Sequence, residues 1–382
     1  MSSLPHPEHL VPAHLRALSP YVPGRAIDEI RREFGLEEVV KLASNENPLG
    51  MSPRAREALV ESAAELHRYP EGGSPELRAA LAVHHGVAPE RILLGNGSNE
   101  ILTLLARLLL EPSDEIVIGA GSFAVYAISA LAQGSQVNVV PAPGHVHDPV
   151  AIADAISERT KIVYLCNPNN PTGTMFRRAA WEEFFARVPE RVLVVCDNAY
   201  AEYVEDPEFP DAMQEVDRHP GLVVLRTFSK IYGLAGLRIG YGVGPERLVE
   251  LVDSLRDPFN VSLAAERAAA AALGDTDFVI ESRRVNREGR AFIARVAKVL
   301  GLPALPSEGN FLTIEVGDGV QVADSLQRAG VIVRPLAGYG MPGHIRVSVG
   351  LPAENTVFAR TLAALLGYSG PGAALLRQEE AG

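Results

Sequence analysis

From residue 91 to 243 the chain alternates short β-branched runs with longer helix-patterned segments, and this alternation restricts the fold more than any other feature. The strand-like runs are RILLG (91–95), EIVIGA (115–120), QVNVVP (136–141), KIVYLCN (161–167), VLVVCD (192–197), GLVVLRT (221–227) and RIGYGV (238–243). Near-continuous apolar runs of this length suit strands covered on both faces; a sheet with one wet face would alternate apolar and polar. Between them, NEILTLLARLLL and AAWEEFFARV carry the spacing of amphipathic helices. The pattern predicts an α/β fold, with a large domain whose mostly parallel sheet is sandwiched by helices.

Further on the pattern changes. Residues 276–300 read as one long amphipathic helix, followed by the short strands NFLTIEV, VIVRPL and HIRVSVG with a helix between the first two. This predicts a smaller α+β domain. The expected division is 45–273 for the large domain and 1–44 with 274–368 for the small domain and its N-terminal arm, with 369–382 a frayed tail.

Composition narrows the partners. A chain of 382 residues can bury a large core. Its 35 Lys and Arg against 47 Asp and Glu leave a net charge of −12, and no basic stretch is clustered, which argues against a nucleic-acid or anionic-membrane surface. Any bound anion is therefore expected to be small and held in a local pocket. No apolar run reaches the roughly 18 residues needed to cross a bilayer, and the start, MSSLPHPEHLVPAHL, is broken by prolines, so a cytoplasmic protein is expected. Cys166 and Cys196 sit in apolar runs, where free cysteine behaves as a small hydrophobe.

Polar residues gather at the carboxyl ends of the strand-like runs: GNGSNE (95–100), NPNNPTG (167–173), Asp197, and Ser229–Lys230. In open α/β sheets ligands bind at that edge. In GNGSNE a strand runs through glycine into a helix starting at Ser98, so the N–H groups of Gly97, Ser98 and Asn99 suit a phosphate; a plain glycine turn with a helix cap is the alternative. Asp197 ends a buried strand and needs either an ordinary salt-bridge partner or a cationic ligand atom such as a protonated ring nitrogen. Tyr200 and Phe123 fit packing or ligand contact, and Asn170 offers an amide from a proline-stiffened loop. Lys230 is flanked by Thr227 and Ser229 and followed by Arg238. It is either a surface charge or, with a lowered pKa, a lysine that forms Schiff bases with carbonyls. HVH (145–147) lacks a third metal ligand nearby and reads as a surface loop, so no metal is expected.

Taken in order, LASNENPLG (42–50), RYPEGG (68–73), GNGSNE, NPNNPTG, TFSKIYGLAGLRIGY and IRVSVG (345–350) resemble the histidinol-phosphate aminotransferase family of fold-type I pyridoxal-phosphate enzymes, over roughly residues 20 to 365. The resemblance implies pyridoxal 5'-phosphate as cofactor, with Lys230 its Schiff-base lysine and proton shuttle and Asp197 the partner of its ring nitrogen. Tyr200 and Asn170 would hold the phenolic oxygen and Phe123 would stack on the ring. Gly97, Ser98, Asn99, Ser229 and Arg238 would hold the phosphate, with Thr227 beside them. Tyr69 would reach it from the other subunit of a homodimer with shared active sites. For the substrate, Arg346 matches the arginine that grips an anionic group, and Arg334 a second one. Tyr21 and Asn47 would complete the pocket, and Tyr126 and Tyr339 would shape it for a flat side chain.

The implied reaction moves the amino group of histidinol phosphate, or of an aromatic amino acid, to a 2-oxo acid such as 2-oxoglutarate by a ping-pong route. A decarboxylase or lyase of the same fold shares nearly the same motifs. A non-catalytic ligand-sensing module is a third reading. Two departures from the family pattern bear on substrate preference: Asn198 follows the aspartate where an acidic residue is usual, and GAGSF precedes the stacking position where a proline commonly stands.

Overall fold

The computed structural model describes residues 7–19 and 24–370. Its strands are, in chain order, β1 (Val40–Lys41), β2 (Ile92–Gly95), β3 (Glu115–Gly119), β4 (Gln136–Val140), β5 (Thr160–Cys166), β6 (Leu193–Asp197), β7 (Leu222–Thr227), β8 (Gly240–Val243), β9 (Phe311–Glu315), β10 (Val331–Ile332), β11 (Arg334–Pro335) and β12 (His344–Ser348). Strands β2 to β8 correspond to the seven runs seen in the sequence and form one sheet in the order β2-β8-β7-β6-β5-β3-β4. All its pairings are parallel except those of β8, which runs antiparallel to β2 and β7.

Side chains separate across this sheet with a period of two. Val163, Leu165, Val194, Cys196 and Val224 enter one core, which also holds Trp181 and Phe184. Ile162, Tyr164, Val195, Val223 and Leu225 enter the other, beneath the helix Ser98–Leu109. Over the inner strands both faces are dry, so neither set needs to be polar and those strands read as nearly unbroken apolar runs, whereas the edge strand β4 is partly exposed and carries Gln136 and Asn138.

Register then decides where the chain ends of these strands fall. Cys166 lies opposite Asp197, Asp197 opposite Leu225, and both Gly95 and Thr227 opposite Gly240. The carboxyl ends of β2, β5, β6 and β7 therefore finish along one edge, together with the amino end of β8.

The long helix runs from Thr276 to Val299, and β9, β11 and β12 make a three-stranded antiparallel sheet in the order β11-β12-β9. Ile293, Leu312, Ile314, Leu326, Val347 and Phe358 fill its core. VIVRPL differs from the single strand expected. Val331–Ile332 pairs in parallel with Val40–Lys41, while Arg334–Pro335 pairs with β12. Pro335 has no N–H to donate, which suits an edge position, and β11 is an edge strand. The switch attaches the N-terminal segment and sets Arg334 opposite Arg346. No helix among the described residues is long and apolar enough to cross a membrane.

One charge interrupts β7. Arg226 is buried and donates to Glu202 at 2.9 Å and Asp211 at 2.6 Å. Glu202 is itself buried, so removing the arginine alone strands an anion. Arg226→Met is expected to cost about 3–5 kcal/mol, and Arg226→Met with Glu202→Met to recover most of it. Urea unfolding midpoints check this; a single-variant loss under about 1 kcal/mol would show that the pair is not sealed from water.

Candidate active site

A cavity of about 380 Å³ opens along the shared strand edge, a size ordinary for a small-molecule site. Twelve of the residues expected from the sequence line it: Ser98, Asn99, Phe123, Asn170, Asp197, Tyr200, Thr227, Ser229, Lys230, Arg238, Arg334 and Arg346. They come from seven separate segments, and the strand register described above is what gathers them.

Lys230 leaves the end of β7 with its Nζ 3.4 Å from the carbonyl oxygen of Ser44 and 5.8 Å from the centre of the Tyr200 ring. The turn that follows depends on Gly233, whose φ of +70° brings its backbone against Gly50 so closely that a Cβ would strike the Gly50 carbonyl. Burial lowers the Lys230 pKa to about 8; Arg346 and Arg238 push the same way, and Glu46 and Asp197 oppose them. A lysine so placed loses its proton far more readily than one in water.

Asp197 is buried, and burial raises its pKa against the pull of Tyr126, of the Ala199 N–H and of Lys230. Tyr126 donates to Oδ2 at 2.7 Å and the Ala199 N–H to Oδ1 at 3.2 Å. Tyr200 accepts a hydrogen bond from Asn45 at 2.9 Å, and burial pushes its phenol upward. At the far end, Gly97 takes φ +78° and turns β2 into the helix that begins at Ser98, leaving that helix N-terminus facing the cavity. A Cβ on Gly97 would collide with the Arg238 guanidinium, which donates to Ala235 O at 3.0 Å and to Ser229 Oγ at 3.4 Å. Helix dipole, two hydroxyls and a guanidinium thus converge where an anion would sit.

On the opposite wall Arg346 donates to Asn170 Oδ1 and, at 2.6 Å, to the Ala43 carbonyl. Asn170 belongs to a loop with cis peptide bonds at Asn167–Pro168 and Asn170–Pro171. The departure at Asn198 is accounted for: its side chain is fully buried and donates to Asn167 O at 2.7 Å, tying two strand ends together.

Several expected residues lie elsewhere. Tyr126 does not line the cavity; it sits behind Asp197, fully buried and stacked on Tyr164 at 4.8 Å. Asn47 is turned away too, donating to Ile231 O at 2.7 Å and Ser282 Oγ at 2.9 Å, so that it braces the segment after Lys230. Tyr339 is half-buried outside the lining. Tyr69 is 81% exposed, stacked on Phe259 and away from its own chain's cavity. Tyr21 lies outside the described residues. The HVH reading as a surface loop needs correction at His147, which is buried against Gly119 with Nε2 3.0 Å from Ala120 O.

Sequence reasoning missed Asn45, Lys41 and Glu46. Asn45 adopts φ +54° and holds Tyr200, while Lys41 and Glu46 pair at 3.0 Å on the cavity wall. The signal was NENP, where Asn45 is a residue type that tolerates the left-handed conformation.

The Lys230 environment has a stability signature. In the unfolded chain the lysine keeps its proton to about 10.5, in the folded chain only to about 8. Between these values the unfolded state binds more protons, so stability rises with pH across that window. Lys230→Met in the cofactor-free protein is expected to be the more stable form at pH 7, with its advantage shrinking by up to about 3 kcal/mol from pH 8 to 10.5. Urea midpoints of both proteins across that range test it; a constant gap would contradict the depressed pKa.

The sequence model for aminotransferase class I and II matches residues 37–362. The chain is 49% identical over 357 residues to histidinol-phosphate aminotransferase 1 of Cupriavidus pinatubonensis, covering 92% of this chain and 95% of that one. It is 48% identical to histidinol-phosphate aminotransferase 2 of Pseudomonas aeruginosa, with coverage of 93% and 97%. Among solved structures, histidinol-phosphate aminotransferase from Sinorhizobium meliloti in complex with pyridoxal-5'-phosphate superposes with a TM-score of 0.85 at 28% identity, over 96% of this chain and 99% of that one. A double mutant of Thermus thermophilus aspartate aminotransferase gives 0.79 at 26% identity, over 92% and 99%. A lysine at a strand end, a buried carboxylate beside it and an anion cradle at a helix start thus stand on a fold shared with these enzymes over more than nine-tenths of the chain, and the chain belongs to the class I and II aminotransferase family.

Proposed function

We propose that the chain is a pyridoxal-phosphate-dependent aminotransferase that moves the amino group of histidinol phosphate to a 2-oxo acid. The observation that carries the reading is the pairing, in one cavity, of Lys230 with its lowered pKa and Asp197, a buried carboxylate whose charge lacks full compensation. Asp197 suits a protonated ring nitrogen, and the Ser98 helix start with Asn99, Ser229 and Arg238 suits a phosphate. These residues fit pyridoxal phosphate. Phe123 offers a ring face, and Tyr200 and Asn170, held by Asn45 and Arg346, offer polar contacts to the phenolic oxygen. Thr227 fixes the segment, its Oγ1 accepting from the Ser229 N–H at 3.1 Å.

When bound, the cofactor supplies an electron sink for the pair released as the substrate Cα–H bond breaks. The protein's own part is proton transfer and positioning. Lys230 Nζ, with its pKa near 8, is unprotonated in a useful fraction near neutral pH and can take the Cα proton. Arg346 and Arg334 face the cavity from paired positions on β12 and β11 and suit the substrate's anionic group with their planar forks. Asp197, Tyr200, Thr227, Ser229 and Arg346 are buried, so the floor of the cavity is rigid, while Lys230 is half-buried and Arg238 reaches its open rim.

A homodimer with shared sites belongs to the same reading: Tyr69 is exposed and absent from its own cavity, as a residue lent to a partner would be. So does a cytoplasmic setting, consistent with two free buried cysteines. We divide the chain, within this reading, into a cofactor-carrying unit (45–273) and a smaller one (1–44 with 274–368), whose cores meet where Phe311 enters the larger unit's core.

Half-reactions test the assignment. Cofactor-loaded protein is mixed with histidinol phosphate, phenylalanine and tyrosine, and conversion to the amine form of the cofactor is followed by absorbance. Histidinol phosphate is expected to react fastest, and Lys230→Ala to slow that reaction about 10³-fold or more. A faster aromatic response would move the substrate assignment, and release of carbon dioxide without a 2-oxo product would replace transamination by decarboxylation. Arg334→Gln is expected to raise KM for histidinol phosphate about 10-fold or more, the size of a lost charge-assisted hydrogen bond, with a smaller effect on phenylalanine. Equal losses on both substrates in steady-state kinetics would remove Arg334 from phosphate recognition.

A further inference from the structure

Tyr126 is a fully buried polar group next to the cavity that the reaction does not use. It lies in the first turn of the helix Ala124–Ala132 with no exposed surface. Its ring stacks on Tyr164 of β5 with centroids 4.8 Å apart and planes 1° from parallel, and meets Phe123 edge-on at 5.7 Å and 83°. Its hydroxyl donates to Asp197 Oδ2 at 2.7 Å. Aromatic contacts on two sides hold the ring as a rigid arm whose hydroxyl reaches the Asp197 carboxylate, with the Cys166 thiol as its other polar neighbour.

The other groups around Asp197 cannot do the same work. The Cys166 thiol on the adjacent strand and the Tyr200 phenol beyond β6 are both pushed upward by burial and stay neutral. The Cys196 thiol, one residue before the aspartate, behaves likewise. Lys230 is the cation that faces Asp197, and it has its own task. The Ala199 N–H holds the second oxygen at 3.2 Å but cannot choose the carboxylate's plane alone. A phenol that burial keeps from ionising is a donor at every working pH, and donation to a carboxylate favours its charged form.

We propose that Tyr126 is a positioning residue for the reaction: it keeps Asp197 ionised and aimed into the cavity to receive the protonated ring nitrogen of the cofactor, and through the same ring it buttresses Phe123. This inference rests on the pyridoxal-phosphate reading above. It recasts Tyr126 from a residue that shapes the substrate pocket into one that acts a layer behind it, through Asp197.

The test measures affinity for pyridoxal phosphate, by spectroscopic titration of cofactor-stripped protein, in the parent, Tyr126→Phe, Asp197→Asn and the double variant, from pH 8 down to 5.5. Tyr126→Phe preserves both ring contacts and removes only the donor. It is expected to weaken binding about 10- to 100-fold at pH 7, the size of a hydrogen bond to a charged group, with the loss growing as pH falls and Asp197 protonates. In the Asp197→Asn background the same change is expected to add less than about 3-fold, because the donor acts through the carboxylate. Tyr126→His, which keeps a ring N–H donor, is expected to bind more tightly than Tyr126→Phe and serves if the phenylalanine variant folds poorly by urea titration. Parental affinity in Tyr126→Phe, or losses that multiply in the double variant, would overturn the inference. A parent that does not bind the cofactor at all would overturn the functional reading itself, and this inference with it.

Discussion

Asp197 is the constraint on which the rest of the site depends. A carboxylate at the end of a central strand, covered on both faces of the sheet, costs several kcal/mol unless charge or hydrogen bonds compensate it. Here the compensation is partial: a phenol behind, one backbone N–H, and a lysine nearby whose own charge is disfavoured by burial. Each of the two ionisable groups would be more comfortable elsewhere. A strand-end pair held in this state is poised for a ligand that presents a cation to the one and a carbonyl to the other.

The two sheets divide the work. The seven-stranded sheet supplies rigid strand ends that carry Asp197, Lys230 and the helix start at Ser98, and its precision comes from register shared across parallel neighbours. The three-stranded sheet supplies Arg334 and Arg346 as a cross-strand pair. Contact between the two runs through the loop of residues 167–173: Arg346 reaches Asn170, and the Thr313 hydroxyl donates to Pro171 O at 2.6 Å.

Much of this was legible in the sequence, and the reasons are physical. Strands covered on both faces need apolar residues at nearly every position, so the inner strands of the large sheet stood out, the partly exposed β4 showed by its valines, and polar residues at the strand ends read as turn formers or ligand contacts. The cavity lining followed from those ends, Lys230 and Asp197 first. What could not be read were the directions of side chains on helices and in loops. Tyr126 and Phe123 lie three residues apart on either side of a helix start, and only the packing of Tyr126 on Tyr164 decides that one faces the cavity and the other the aspartate. Asn47 and Asn45 stand two apart in one motif; a left-handed φ at Asn45 sends it to Tyr200 while Asn47 braces the segment beyond Lys230. His147 was hidden for a similar reason, since the space it fills exists because Gly119 has no side chain.

Under the function proposed above, Lys230 and no other amine of the chain forms the Schiff base with the cofactor. Borohydride reduction of the cofactor-loaded protein followed by peptide mapping by mass spectrometry tests it most directly. A single phosphopyridoxyl adduct on the peptide containing Lys230 is expected; an adduct on another lysine, or none, would contradict this assignment.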